Sequence, residues 1–242
     1  MELGDRRADF RERKKSGKIV ENIFRKAFVK SIPIMCSYLF VSMAYGIMME
    51  NAGFKWYYSL LVSLTVYTGA YQFVLVTLLS SGASILTMAL TAFLMNSRQS
   101  FYALTFVDEF NHMGKRKLYM IHTMTDETYA VNCTLPDTGK ERQSIMFWVA
   151  FLSRCYWMIG AVAGGILGQI IPFDMTGIDF CMTALFVIIF IDQWEKAESH
   201  IPAIAGIVIA VSCLLVVGQQ YFLLPSLIIA SAVLVVWNTR RK

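Results

Sequence analysis

Long apolar runs broken by short polar stretches cover most of this chain. Residues 56–97 contain no Asp, Glu, Lys or Arg. A helix needs about 20 apolar residues to cross a bilayer. By that measure the runs predict spans near 27–49, 57–79, 83–106, 145–166, 180–191, 201–217 and 222–237. A further stretch, 118–133, places Leu118, Ile121, Met124 and Tyr129 at near-helical spacing. It reads as an amphipathic helix that lies in the interface or dips into the bilayer. The expected fold is an all-α integral membrane protein with seven or eight transmembrane helices. Its organisation is a basic lead over 1–26, then one transmembrane domain over 27–239. Within that domain 27–106 and 145–239 read as two halves, joined by a polar connector over 107–144.

The polar breaks carry the candidate chemistry. The third apolar run meets Asn96-Ser97-Arg98-Gln99-Ser100-Phe101-Tyr102 before it is long enough to span. Arg within a span requires a partner. A bent or discontinuous helix is therefore expected at Asn96. Asn96 either serves backbone groups freed by the break or contacts a ligand. Arg98 either holds the broken helix through a structural pair or meets a ligand carboxylate. Asp126 and Glu127 are candidates for an ammonium group or for proton coupling, with a plain surface pair as the other reading. Asp126 is the expected partner of Arg98.

The second run carries Tyr67-Thr68-Gly69-Ala70-Tyr71-Gln72-Phe73 at mid-depth. Gly69 allows close approach, and Gln72 bonds either a ligand or a neighbouring helix. Arg154 lies midway along its span and is expected to pair with a polar group on another helix or on a partner subunit. His122 reads as structural or proton-linked. Gly160, Gly164 and Gly168 form repeated small-xxx-small spacings, which predict a closely packed partner helix. Gly46 ends the first span, Gly177 lies in a hinge over 172–179, and Asp179 is expected to cap the helix that follows. Tyr45-Gly46 with its loop and next span weakly resembles Gly164-Gly165 with the 172–179 loop, as an inverted repeat would.

Composition agrees with the pattern. Hydrophobic residues make up 56% and charged residues 16%, against about 25% charged in soluble domains. The net charge of +5 does not suggest nucleic-acid binding, because the cations gather at the chain's two ends. The basic lead places the N-terminus in the cytoplasm, against anionic lipid, and does not read as a cleavable signal. Five scattered cysteines form no C-x-x-C pair and predict no disulfide or metal site. No Walker loop, zinc-protease motif, nucleophile elbow or dinucleotide fingerprint occurs, so neither a cofactor nor ATP drive is expected.

At these motifs the chain resembles the AzlC-like permeases, the large subunit of branched-chain amino acid exporters. The resemblance rests on Gly69, Gln72 and Phe73; on Asn96, Arg98 and Tyr102; on Thr125-Asp126-Glu127; and on Gly177-Ile178-Asp179-Phe180. Gln99 stands where the family often has His, which bears on any proton relay. The resemblance implies a secondary exporter of Leu, Ile, Val and Met in the bacterial cytoplasmic membrane. It implies a substrate or coupling site drawn from Gly69, Tyr71, Gln72, Asn96, Arg98, Tyr102, Asp126 and Glu127. It also implies a small AzlD-like multi-span partner. Two other functions compete: a membrane-embedded enzyme acting on lipid-linked substrate, and an assembly subunit that does not itself transport. Polar groups at mid-depth in both halves favour transport.

Overall fold

A computed structural model describes the backbone of residues 2–135, 139–170, 199–218 and 222–241, with isolated positions between 183 and 197. Side chains are described from residue 21, apart from 98, 101, 223, 224, 235 and 238–241. Among the described residues all regular structure is helical. The helices are α1 (Glu2–Asn51), α2 (Trp56–Thr65), α3 (Gly69–Ser80), α4 (Ile85–Thr105), α5 (Val107–Asn111), α6 (Arg116–His122), α7 (Asp126–Cys133), α8 (Lys140–Ile170), α9 (Ile201–Val217) and α10 (Leu223–Arg241). Gly177 and Asp179 lie outside the described residues, as does the span expected near 180–191 at half of its positions.

Two helical stretches, Glu21–Asn51 and Lys140–Ile170, are long and apolar enough to cross a membrane. They form the main packing unit of the protein. Lys26 Nζ donates to Glu141 Oε1 at 2.6 Å near one end, and Gln169 Nε2 donates to Glu50 Oε2 at 3.1 Å near the other. The two helices therefore run side by side in the same direction. Small residues bring their backbones together, as the glycine spacing predicts. A Cβ on Gly46 would overlap the Ala161 carbonyl, one on Gly160 the Ser42 hydroxyl, and one on Gly164 the Met43 carbonyl. The lead over 2–26 continues α1 without interruption, and the helix passes through Pro33.

The 57–79 stretch is not one helix. Val66-Tyr67-Thr68 separates α2 from α3. α2 starts beside the far end of α8, where Gly165 lies against the Trp56 backbone, and ends at mid-length, where Arg154 donates to the Leu64 carbonyl. α3 then turns back. Gly69 sits on the Trp157 ring, and Phe73 packs edge-on against Tyr45 with ring centroids 5.9 Å apart. From there α4 runs the length of the bundle. Met88 near its start accepts from the Tyr71 hydroxyl at 2.8 Å, and Phe106 just past its end lies 5.8 Å below the Arg142 guanidinium.

The 118–133 stretch is also two helices. Thr123-Met124-Thr125 separates α6 from α7. α6 rises along α8 from Phe147, which Arg116 covers at 4.6 Å, to Arg154, which lies 5.6 Å from the Tyr119 ring. α7 returns toward the same end, where Arg142 Nη1 donates to the Leu135 carbonyl at 2.8 Å. Two hairpins thus reach the middle of α8 from opposite ends.

The helix break expected at Asn96 is absent. α4 is continuous from Ile85 to Thr105. Discontinuous helices are present, but at residues 66–68 and 123–125. Around this frame Phe40, Ile85, Leu86, Phe93, Leu215 and Val216 are exposed, the apolar outer surface that a bilayer covers. Among the described residues Cys36, Cys133, Cys155 and Cys213 form no disulfide.

Candidate functional site

Unwound backbone at membrane depth is tolerated only where other groups satisfy it or it lines a cavity. The two breaks meet that demand differently. At the first, the side-chain amide of Gln72 donates to the Val66 carbonyl, and Arg154 takes the Leu64 carbonyl. Gln72 is fully buried, and its Oε1 accepts from Trp157 Nε1 at 2.9 Å. Gly69 makes this possible, because a Cβ there would stand 2.8 Å from the Trp157 ring. Thr68 holds the N-cap position in an extended conformation, but its side chain makes no capping bond.

The second break caps itself. Thr125 and Thr128 form a reciprocal capping box at the start of α7. The Tyr38 hydroxyl joins it, 2.8 Å from Thr125 Oγ1, and donates to Glu127 Oε2 at 2.7 Å. Tyr38 packs edge-on against Trp157 at 5.2 Å, so α1 and α8 bring the second break beside the first.

Arg154 lies between the hairpins. Its guanidinium is 5.6 Å from the Tyr67 ring of the first break and 5.6 Å from Tyr119 of α6. His122, the last residue of α6, lies beside Arg154 and the Leu64 backbone. Tyr67 is also near Glu127. A cation from α8 and a carboxylate from α7 thus both lie near Tyr67, at the depth where both hairpins end. Among the described residues no group of three metal-ligating side chains occurs.

The residues picked from sequence fall into three places. Gly69, Gln72, Asp126 and Glu127 stand at the breaks. Tyr71 is one turn away and binds α4 through Met88. Asn96, Arg98 and Tyr102 lie on α4, outside the breaks. Tyr102 stacks on Tyr129 at 4.6 Å, and Phe106 tilts against the same ring at 5.6 Å. α4 and α7 therefore descend together, and residues 98 and 126 each stand about one turn above the Tyr102–Tyr129 stack. Asn96 caps no break, because none is there. Gly46, Gly160 and Gly164 belong to the α1–α8 contact. Tyr38, Tyr67 and Trp157 were not foreseen; the one available signal was polar-tipped aromatics flanking Gly69 and Arg154 in otherwise apolar runs. Arg154 was foreseen only as a pairing group.

Residues 33–171, which include both hairpins, match the family described as AzlC protein. The branched-chain amino acid transport protein AzlC of Bacillus subtilis is 36% identical over 214 residues, 88% of this chain and 84% of that protein. A membrane protein of Helicobacter pylori, uncharacterized by its description, is 38% identical over 207 residues, 85% of this chain and 91% of its own. The inner membrane protein YgaZ of Escherichia coli is 28% identical over 218 residues, 87% of this chain and 86% of its own. No solved structure matches the chain.

Proposed function

The chain belongs to the AzlC family of membrane proteins, and on that premise we propose that it is a secondary transporter exporting Leu, Ile and Val, with Met beside them, across the cytoplasmic membrane. A transport role follows from the family and from the name of its Bacillus subtilis relative. The observation that best supports the rest is the meeting of two half-length hairpins at mid-depth, with Arg154 and Glu127 both near Tyr67. Transporters place substrate where broken helices meet near the bilayer midplane. An enzyme acting on lipid headgroups would gather its titratable groups at one interface. Here Arg154, His122 and Glu127 lie midway along α8.

In this reading α1 with the first hairpin, and α4 with the second, form two units that enter from opposite sides. The substrate passes between the hairpin tips. Gly69 and Gln72 shape the first tip, Asp126 and Glu127 supply charge at the second, and Arg98 pairs with Asp126. The proton motive force drives export, the N-terminus is cytoplasmic, and a small AzlD-like multi-span subunit completes the transporter.

The test is co-expression of the chain with its small partner in cells loaded with a leucine-, isoleucine- or valine-containing dipeptide. Intracellular free amino acid should fall faster than in cells lacking the chain, and an uncoupler should abolish the difference. Identical intracellular levels with and without the chain would remove the exporter reading.

A further inference from the structure

We propose that the two helix breaks divide an amino acid between them: the α-carboxylate sits at the first, against the N-terminus of α3 and Arg154, and the ammonium at the second, against Glu127. This inference rests on the transport reading and gives the substrate a direction within the site.

The first break is built for an anion. α3 has twelve residues and no acidic side chain in its first turn. Its first main-chain helical bond is made by the Gln72 N–H to the Thr68 carbonyl, so the amides of residues 69–71 end the helix without main-chain helical partners. Such amides and the helix dipole favour negative charge. Two hydroxyls add to this. Tyr67 is 3% exposed and Thr68 8% exposed, and neither the Tyr67 nor the Thr68 hydroxyl has a hydrogen-bond partner among the described residues. A buried hydroxyl without a partner is costly, and a carboxylate oxygen would satisfy both. The Arg154 guanidinium, 5.6 Å from the Tyr67 ring, supplies the full positive charge.

The second break is built against an anion. Thr125 and Thr128 already cap α7, and Asp126 and Glu127 fill its first turn. A carboxylate there would meet like charge. Glu127 is exposed at this point, held by the Tyr38 hydroxyl at 2.7 Å, and an ammonium can reach it. The poles belong to one neighbourhood: Arg154 is 5.6 Å from the Tyr67 ring, and Tyr38, which holds Glu127, packs on Trp157 one turn along α8 from Arg154.

The experiment measures tritiated leucine binding to the purified full-length chain with its small partner. Competitors are leucinamide, which lacks the carboxylate, and 4-methylpentanoate, which lacks the ammonium. The intact protein should prefer leucine over both. Thr68→Val and Tyr67→Phe should weaken leucine binding about tenfold or more, the scale of a hydrogen bond to a charged group. They should shrink the leucine/leucinamide preference and leave the leucine/4-methylpentanoate preference in place. Glu127→Gln should do the reverse, and Thr68→Ser should behave as the intact protein, which separates the hydroxyl from the fold. If Thr68→Val and Tyr67→Phe bind leucine with the original leucinamide preference, or if the two effects are exchanged, the orientation is overturned while transport stands. If the intact protein binds none of Leu, Ile or Val, the transport reading falls and takes the orientation with it.

Discussion

The breaks at 66–68 and 123–125 have the same length and opposite support. The first is held by distant residues: Gln72 is linked to Trp157 of α8, and Leu64 to Arg154 of α8. The second is held mainly from within, by Thr125 and Thr128, with Tyr38 added from α1. A tip that caps itself is formed by its own sequence. A tip held by another helix has its shape only when that helix is in place. The difference also sets charge: acidic residues start α7, and none starts α3.

Removing the residue between the tips should have the largest effect. Arg154→Met removes the hydrogen bond from a charged group to the Leu64 carbonyl, at about 1.5–3 kcal/mol. It also deletes the cation between Tyr67 and Tyr119. Export rate should fall on the order of 100-fold, equivalent to about 3 kcal/mol, with the protein still inserted in the membrane. Next is the α4–α7 pair. Arg98→Asp and Asp126→Arg should each slow export about 30-fold, equivalent to about 2 kcal/mol, and the double exchange should restore a measurable part; a double variant as slow as the singles would remove the pair. Gly69→Ala should follow, because a methyl 2.8 Å from the Trp157 ring displaces it from Gln72. Overpacking of this kind costs about 1–3 kcal/mol, read as a lower unfolding temperature in detergent together with slower export. Thr125→Val should be mildest, at about 1 kcal/mol for a lost cap. If Thr125→Val lowers stability more than Gly69→Ala, the contrast between a locally and a distantly held tip is wrong.

The helical membrane class and the α1–α8 contact were legible in the sequence because each has a simple signature. Apolar run length reports the first, and glycine at four-residue spacing the second. Gly69 and Gln72 stood out as polar or small positions in an apolar run. The breaks themselves did not. Polarity pointed to Asn96, yet a helix carries polar side chains intact when they bond within it, and Ser97 Oγ donates to the Leu94 carbonyl at 2.8 Å. The true breaks fall at Val66-Tyr67-Thr68 and Thr123-Met124-Thr125, whose residues match a continuing helix nearly as well. The capping box was hidden because Thr128 stands where Glu or Gln is the usual signal. Tyr38, Tyr67 and Trp157 read as bulk apolar residues until the fold brought their polar tips to one place.

The glycine contact between α1 and α8 has a mechanical consequence. Backbone approaches backbone at Gly46, Gly160 and Gly164, and a one-turn advance of α8 along α1, about 5.4 Å, would drive Tyr156 into the gap that Gly160 leaves. The pair is therefore a stator. Whatever opens the site first to one face and then to the other must be carried by lighter parts swinging against it, the half-length hairpins on either side of Arg154. A cysteine bridge fixing α1 to α8 should leave turnover intact, while one fixing a hairpin tip to α8 should stop it.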